Sequence, residues 1–203
     1  MKKIIKYLFL LTGGSFILAS CNDFLDREPL DSVTPDNFFF TENDLAAYAV
    51  KHYNFTTHEG FNAGIWRNDN ATDNQAATDY DKKWIPGQWK VPEAYDNPAS
   101  NDPWYFSAIR EANYFLETVV PRFEKGEIEG SETNIKHYIG EMYFLRAKNY
   151  LSKLETFGDF PIIKNTLPDE SESLIQASKR APRYKVAHFI LEDLDQAISL
   201  LTN

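Results

Sequence analysis

The sequence has a single cysteine, Cys21, among its 203 residues. Without a second cysteine the chain cannot form an internal disulfide, so its stability must come from a hydrophobic core. Basic residues are also few, with 21 Lys and Arg against 30 Asp and Glu, which gives a formal net charge of −9. Such acidity disfavours nucleic acid and anionic lipid as partners. A neutral or polar ligand fits the composition better.

Known catalytic and metal-binding motifs are missing as well. The four histidines do not occur at metal-ligand spacings, and we expect His137 and His188 to be packing or surface residues. The segment from Asp69 to Asn74 lacks the alternation and central glycine of a calcium loop. There is no glycine-rich phosphate loop, nucleophile elbow or serine triad order. We therefore expect no metal, no cofactor and no enzyme activity.

Carboxylates are abundant, so composition alone leaves open an acid and base pair for glycoside cleavage. No two of them are marked by their spacing as facing each other. Glu192, Asp193 and Asp195 are predicted to lie on a solvated helix face, where Asp193 makes at most a local bond.

The one long apolar run lies in residues 1–20, which we interpret as a lipoprotein signal peptide. Three lysines precede an apolar run from Tyr7 to Leu18, and the junction Leu18-Ala19-Ser20-Cys21 is a bacterial lipobox. Cys21 would then receive lipid and become the mature N-terminus. An ordinary secretory signal with a chance cysteine is the alternative, whereas the run is too short for a transmembrane anchor.

Residues 21–40 form an acidic, proline-interrupted segment that we predict to be an extended tether. Its last residues, Phe38, Phe39 and Phe40, are expected to bury against the first helix ahead of a Thr41 cap. Within it, Asp31-Ser32-Val33 matches a short bacterial O-glycan acceptor pattern, which is too common to establish modification of Ser32.

Residues 41–203 are predicted to form an all-helical domain. Its clearest element runs from a Ser131 cap to Gly158, and small residues at Gly140 and Ala147 would let a neighbouring helix approach. Apolar side chains recur along it at spacings of three and four: Ile135, Tyr138, Ile139, Met142, Tyr143, Leu145, Ala147, Tyr150, Leu151 and Leu154. This helix needs partners, because so much apolar surface is unstable in water.

Three further segments have the same period. One follows Thr41; a second opens at Asp102-Pro103 and buries Phe106, Ile109, Leu116 and Val119. The third opens at Pro182, and its predicted buried face is Tyr184, Ala187, Ile190, Leu191, Leu194, Ile198 and Leu201. Weak similarity between the helices at Ser131 and Pro182 suggests helix pairs of the tetratricopeptide kind. Asp169 to Lys179 is predicted to be a polar loop anchored by Leu174 and Ile175.

A long irregular segment from His58 to Asn101 has no helical period but carries three of the four tryptophans. Long loops of this kind are usually functional or disordered, and the aromatic content argues against disorder. Rings can stack on the C–H faces of sugars while amides and carboxylates bond the hydroxyl rim. The candidate glycan-binding residues are Trp66, Asn68, Asp73, Tyr80, Trp84 and Trp89. The alternative is that these rings only pin the loop to the core; Trp104 is expected to be core.

Several blocks in this chain resemble the N-terminal part of the SusD-like (RagB/SusD) nutrient-binding lipoproteins of Bacteroidetes. They are the lipobox followed by FLDREPLDSVTPDNFF, then WYFSAIREANYFLE, GEMYFLRAKNYLSKLETFGDFPII and APRYKVAHFILEDLDQAISLL. The most specific block runs from Glu141 to Pro161.

This resemblance implies a surface-exposed lipoprotein of the outer membrane, anchored through Cys21, that binds glycan and covers a SusC-like TonB-dependent transporter. It also implies tetratricopeptide-like helix pairs, and it makes Trp84 and Trp89 candidates for a sugar-stacking tryptophan. Family chains continue well beyond the length seen here, so we expect a truncated domain with a partial core and an incomplete site. The competing hypotheses are a helical lipoprotein scaffold that binds protein or peptide, and a surface glycosidase.

Overall fold

A computed structural model describes residues 38–53, 85–88, 90–91 and 104–201. Across these residues five α-helices occur, and apart from two isolated bridges no strand is present. In chain order the helices are α1 Glu42–Val50, α2 Ser107–Lys125, α3 Glu132–Phe157, α4 Ser171–Ala177 and α5 Arg183–Leu200. The predicted all-α fold is confirmed. Of the helices described, none has the length and apolarity needed to cross a membrane.

Helix α1 begins at the predicted Thr41 cap. The Thr41 hydroxyl accepts a hydrogen bond from the Asp44 N–H at 3.2 Å, and the Asp44 carboxylate accepts one from the Thr41 N–H at 2.9 Å. Ahead of this capping box, Phe39 is fully buried, but Phe40 is 42% exposed and lies under the Arg122 guanidinium. The predicted burial of three phenylalanines therefore holds fully only for Phe39.

Helix α3 is the centre of the domain and packs against α5, α2 and α1. Most of its predicted apolar face is buried, with Met142 and Tyr150 completely enclosed. Leu151 is the exception, because it is 45% exposed. Ser131 occupies the predicted cap position, although its side chain makes no capping hydrogen bond, and Gly158 ends the helix at a φ of 72°.

The approach of α5 to α3 depends on Gly140. A Cβ at this position would lie 3.0 Å from Leu201 Cγ and 3.2 Å from the Ala197 carbonyl oxygen. The prediction that Gly140 admits a neighbouring helix is therefore confirmed.

The predicted start of α2 at Pro103 is wrong. Trp104 to Phe106 precede the helix, which begins at Ser107. Before the helix starts, the Phe106 ring stacks on Phe160 at 5.1 Å and the Trp104 ring lies 4.1 Å from Phe157. These ring contacts hold the chain in a non-helical path for three residues.

The predicted buried face of α5 is wrong for three of its residues, whereas Ile190 is buried, Leu194 packs against the core and Leu201 lies next to Gly140, as predicted. Tyr184, Leu191 and Ile198 are exposed by 59%, 56% and 73%. The side chains that do face the core are Val186, Phe189, Ile190, Asp193 and Ala197. Helix α5 is rotated in this way because Asp193 and Ala197 face Arg146 and Gly140 of α3.

Two connecting segments complete the domain. Phe160 and Ala181 form an antiparallel bridge through hydrogen bonds of 3.1 and 3.0 Å, so the chain is extended at Phe160. Between them, the predicted polar loop contains the short helix α4. Leu174 and Ile175 are 43% and 65% exposed, so the prediction that they anchor the chain in the core is wrong.

Apolar side chains of the domain form two clusters on either side of the middle of α3. The first surrounds Phe39, Phe115 and Met142, and the second surrounds Tyr150, Phe160 and Phe189. Between them α3 carries Arg146, a buried charged residue.

Candidate functional site

The residues predicted to bind glycan or lipid all lie outside the described part of the chain. They are Cys21, Trp66, Asn68, Asp73, Tyr80, Trp84 and Trp89. The predictions for the signal peptide, for residues 21–37 of the tether and for Ser32 fall there as well.

The described residues between Trp84 and Trp89 in the sequence form a turn. The Gln88 N–H donates to the Ile85 carbonyl at 3.0 Å, and Gly87 has a φ of 79°. Proline at the second position and a positive-φ glycine at the third are typical of a type II turn. All four residues are exposed. The two candidate tryptophans are thus joined by a hydrogen-bonded surface turn.

A cavity of about 330 Å³ lies between the start of α2, the extended segment after Phe160, and α4. The α2 side contributes Trp104, Phe106, Ile109, Arg110 and Asn113. The extended segment contributes Pro161, Ile163, Asn165 and Leu167, and α4 with its cap contributes Leu174, Ala177 and Ser178. Most of these side chains are apolar, and the cavity has the size of ligand pockets. Its walls come from three separate parts of the sequence, so no local motif marks it.

Trp104 has a mixed environment. Its half-buried ring contacts Phe157 at 4.1 Å and Phe160 at 5.6 Å, as expected of a core residue. The Arg180 guanidinium carbon lies 4.7 Å from the ring centroid, and Trp104 also lines the cavity. Trp104 is therefore a wall residue as well as a core residue.

A buried polar network lies behind this cavity. Arg146 donates from Nε and Nη2 to the two carboxylate oxygens of Asp193 at 2.8 and 2.7 Å, and from Nη1 to Asn113 Oδ1 at 2.9 Å. Asn113 in turn donates to the Ile163 carbonyl at 2.8 Å. The network joins α2, α3 and α5 to the extended segment and fixes the cavity floor.

Asp193 was predicted to lie on a solvated face, and this prediction is wrong because only 3% of the residue is exposed. Burial raises the pKa of its carboxyl group, while the Arg146 guanidinium acts in the opposite direction. The signal available in the sequence was Arg146 itself, a charged residue on the buried side of an otherwise apolar helix face.

A SusD-like family model, described as "Starch-binding associating with outer membrane", matches residues 23–203. The chain belongs to the SusD-like family. Its relatives include "SusD-like protein P38" of Formosa agariphila, 28% identical over 98% of this chain and 37% of that protein. "SusD-like protein P2" of the same organism is 26% identical over 89% of this chain and 35% of its own length. This SusD-like chain thus spans little more than a third of these relatives.

The fold agrees with the same family. A crystal structure of a SusD-like protein from Bacteroides fragilis superposes with a TM-score of 0.58, covering 86% of this chain and 32% of that one. At 23% identity, this likeness concerns the fold alone. The predicted SusD-like fold of tetratricopeptide-like helix pairs is confirmed.

Three histidines of the SusD-like domain lie within the described ranges. His52 Nδ1 lies 3.4 Å from Glu111 Oε2, and burial lowers the pKa of this imidazole. His137 is partly exposed and pairs with Glu141 at 3.0 Å, while His188 is exposed, as predicted for surface residues. No group of three His, Cys, Asp or Glu side chains in these ranges could hold a metal ion.

Proposed function

We propose that this chain is part of a glycan-binding lipoprotein of the outer membrane that delivers oligosaccharide to a SusC-like TonB-dependent transporter. The observation that carries the proposal is the family match over residues 23–203, whose description names starch binding and association with the outer membrane. The aromatic and amide-rich segment from His58 to Asn101 supports it independently, because its residue types suit a sugar surface.

The proposed glycan contacts are Trp84 and Trp89, with Trp66, Tyr80, Asn68 and Asp73 as further candidates. Affinity electrophoresis in gels containing starch and other polysaccharides tests this assignment. Trp84→Ala and Trp89→Ala should lose most of the retardation, because stacking on an indole face is removed. Tyr184→Ala removes an exposed ring from α5 and serves as the matched control.

Retardation that survives both tryptophan substitutions would contradict the assignment of these two residues. No retardation of the unaltered chain by any polysaccharide would contradict glycan binding by this part of the protein, and would favour a helical scaffold that binds protein or peptide. We propose binding without catalysis, so release of reducing sugar from a bound polysaccharide would also contradict the proposal.

Anchoring is assigned to Cys21. Expression with a radiolabelled fatty acid should label the chain, and Cys21→Ser should abolish the label and release the protein from the outer membrane. Labelling that persists in Cys21→Ser would contradict this anchor. Surface exposure is tested by protease treatment of intact cells, and the transporter partner by co-purification from solubilised outer membranes.

A further inference from the structure

The cavity between α2 and α4 uses none of the residues proposed for glycan. We propose that it binds a small organic carboxylate with an apolar body, such as a medium-chain or aromatic acid. At about 330 Å³ it can hold a fused ring system or a short alkyl chain.

The apolar walls of the cavity indicate that the ligand has an apolar body. Phe106, Ile109, Pro161, Ile163, Leu167 and Leu174 present ring and alkyl surface to the cavity. Burial of such surface drives binding without requiring directed hydrogen bonds.

A sugar fits these walls poorly, because they are mostly apolar and two of their polar side chains are already engaged. The Asn113 amide bonds the Ile163 carbonyl at 2.8 Å, and its oxygen accepts from Arg146 at 2.9 Å. The Ser178 hydroxyl donates to the Ile175 carbonyl at 2.7 Å. Arg110 and Asn165 are the other polar side chains of the wall, too few to bond the many hydroxyl groups of a sugar.

Two arginines near the cavity indicate that its ligand carries a negative charge. Arg110 lines the cavity and is exposed, and among the described residues it has no carboxylate within ion-pair distance. Arg180 covers the Trp104 ring at 4.7 Å and likewise forms no ion pair in the described ranges. Two such cations beside an apolar cavity are notable in a chain with a net charge of −9. Arg110 is placed to bond a carboxylate from the cavity wall, and Arg180 adds positive charge where it lies against the Trp104 ring.

Titration calorimetry of the full chain tests this site, with decanoate below its micelle concentration and 2-naphthoate as probes. Both should bind saturably with a stoichiometry near one. Decyltrimethylammonium, which has the same chain length and the opposite charge, should bind at least about tenfold more weakly. Absence of saturable binding by both acids, or equal binding of the cation, would overturn the proposal.

Two neighbouring positions on α4 provide a matched pair of variants. Leu174 lines the cavity and Ile175 does not, although both are exposed and tolerate a polar replacement. Leu174→Asp should weaken decanoate binding about tenfold or more, since it adds a negative charge to the wall, whereas Ile175→Asp should leave the affinity unchanged. Equal effects of the two substitutions would overturn the location.

Arg110→Gln should weaken the binding of decanoate about tenfold and leave the binding of decanol unaltered. Lys185→Gln changes another exposed cation and serves as the control. Equal loss of decanol binding would overturn the role of the charge. Polysaccharide in the gel should retard Leu174→Asp and Arg110→Gln as much as it retards the unaltered chain. The proposal for the cavity and the proposal for the glycan site can therefore be rejected independently.

Discussion

Arg146 and Asp193 form a two-pronged ion pair across the α3–α5 contact, with N–O distances of 2.8 and 2.7 Å and almost no exposure of either residue. The Arg146 guanidinium carbon also lies 5.4 Å from the centroid of the Tyr143 ring and 5.2 Å from that of the Phe189 ring. The pair lies between the two apolar clusters, so it determines how α5 is rotated against α3. A charged link of this kind constrains register more than it adds stability.

Asp193→Asn should lower the free energy of unfolding by about 3 kcal/mol, because Arg146 is left buried without a counter-charge. The double substitution Arg146→Met with Asp193→Leu should recover most of this loss. Urea unfolding followed by circular dichroism measures both. Asp195→Asn changes an exposed carboxylate on the same helix and should alter stability by less than about 0.5 kcal/mol. Similar effects of Asp193→Asn and Asp195→Asn would contradict the importance of the pair.

Tyr150 makes the stability of the domain depend on pH in the alkaline range. Its hydroxyl donates to the Ile163 carbonyl at 3.1 Å and accepts from the Ile163 N–H at 2.8 Å, and burial raises its pKa from 10.0 to about 12. Because the folded state favours the neutral hydroxyl, this contribution is fully present below pH 10 and is lost as the pH rises towards 12. The total loss is up to roughly 3 kcal/mol.

Tyr150→Phe should therefore show a shallower fall in unfolding free energy between pH 10 and 12 than the unaltered chain. It should start about 1–3 kcal/mol lower at pH 8, since the half-buried Ile163 N–H loses its partner, whereas the Ile163 carbonyl keeps its hydrogen bond from the Asn113 amide. Urea midpoints at intervals from pH 8 to 12 measure both differences. Tyr48 and Tyr53 also have raised pKa values but are common to both proteins, so parallel curves would contradict the role of Tyr150.

Gly140→Ala should destabilise the domain by about 1–3 kcal/mol, although alanine normally favours a helix over glycine by about 1 kcal/mol. The added Cβ would lie 3.0 Å from Leu201 Cγ and 3.2 Å from the Ala197 carbonyl oxygen, and the latter is backbone that cannot move aside cheaply. Thermal melting measures the change. Adding Leu201→Ala should relieve part of the loss; a Gly140→Ala variant more stable than the unaltered chain would show that the α3–α5 contact is looser than the structure indicates.

Helices α1, α2, α3 and α5 could be predicted because each has a period that local sequence carries, whereas the short α4 has no buried face and was predicted to be a loop. Thr41 as a cap and Gly140 as a contact point follow directly from residue type. The face of α5 could not be predicted in this way, because two apolar stripes overlap on it. Tyr184, Leu191 and Ile198 are as regularly spaced as Val186, Ile190 and Ala197. Only the partner helix, through Gly140 and Arg146, decides which stripe is buried.

The cavity and its polar floor could not be predicted for a related reason. Its walls combine Trp104 with Ile163 and Leu174, which are far apart in the sequence and come together only when α2 and the segment after Phe160 pack on α3. Asp193 was misassigned because an acidic residue near Glu192 and Asp195 has the pattern of a solvated face. Its burial depends on one arginine 47 residues earlier.

Gly87 provides a test of the proposed glycan segment that changes no aromatic residue. Its φ of 79° is unfavourable for any residue with a Cβ, yet among the described residues no atom beyond its chain neighbours lies within 4 Å of where that Cβ would be. Gly87→Ala therefore strains the Ile85–Gln88 turn without a steric clash. If Trp84 and Trp89 hold the same glycan, altering the turn that joins them should weaken binding about three- to tenfold, because loss of preorganisation costs about 1 kcal/mol.

The matched control is Gly126→Ala. Gly126 ends α2 at a φ of 70°, and in the described part of the chain no atom beyond its chain neighbours lies within 4 Å of an added Cβ. This substitution therefore introduces comparable backbone strain outside the glycan segment. Gly126→Ala should lower thermal stability slightly and leave retardation by polysaccharide unchanged. Gly87→Ala should weaken the retardation and leave thermal stability nearly unchanged. Equal retardation of both variants and the unaltered chain would indicate that the turn does not position the two indoles, so that at most one of them contacts sugar.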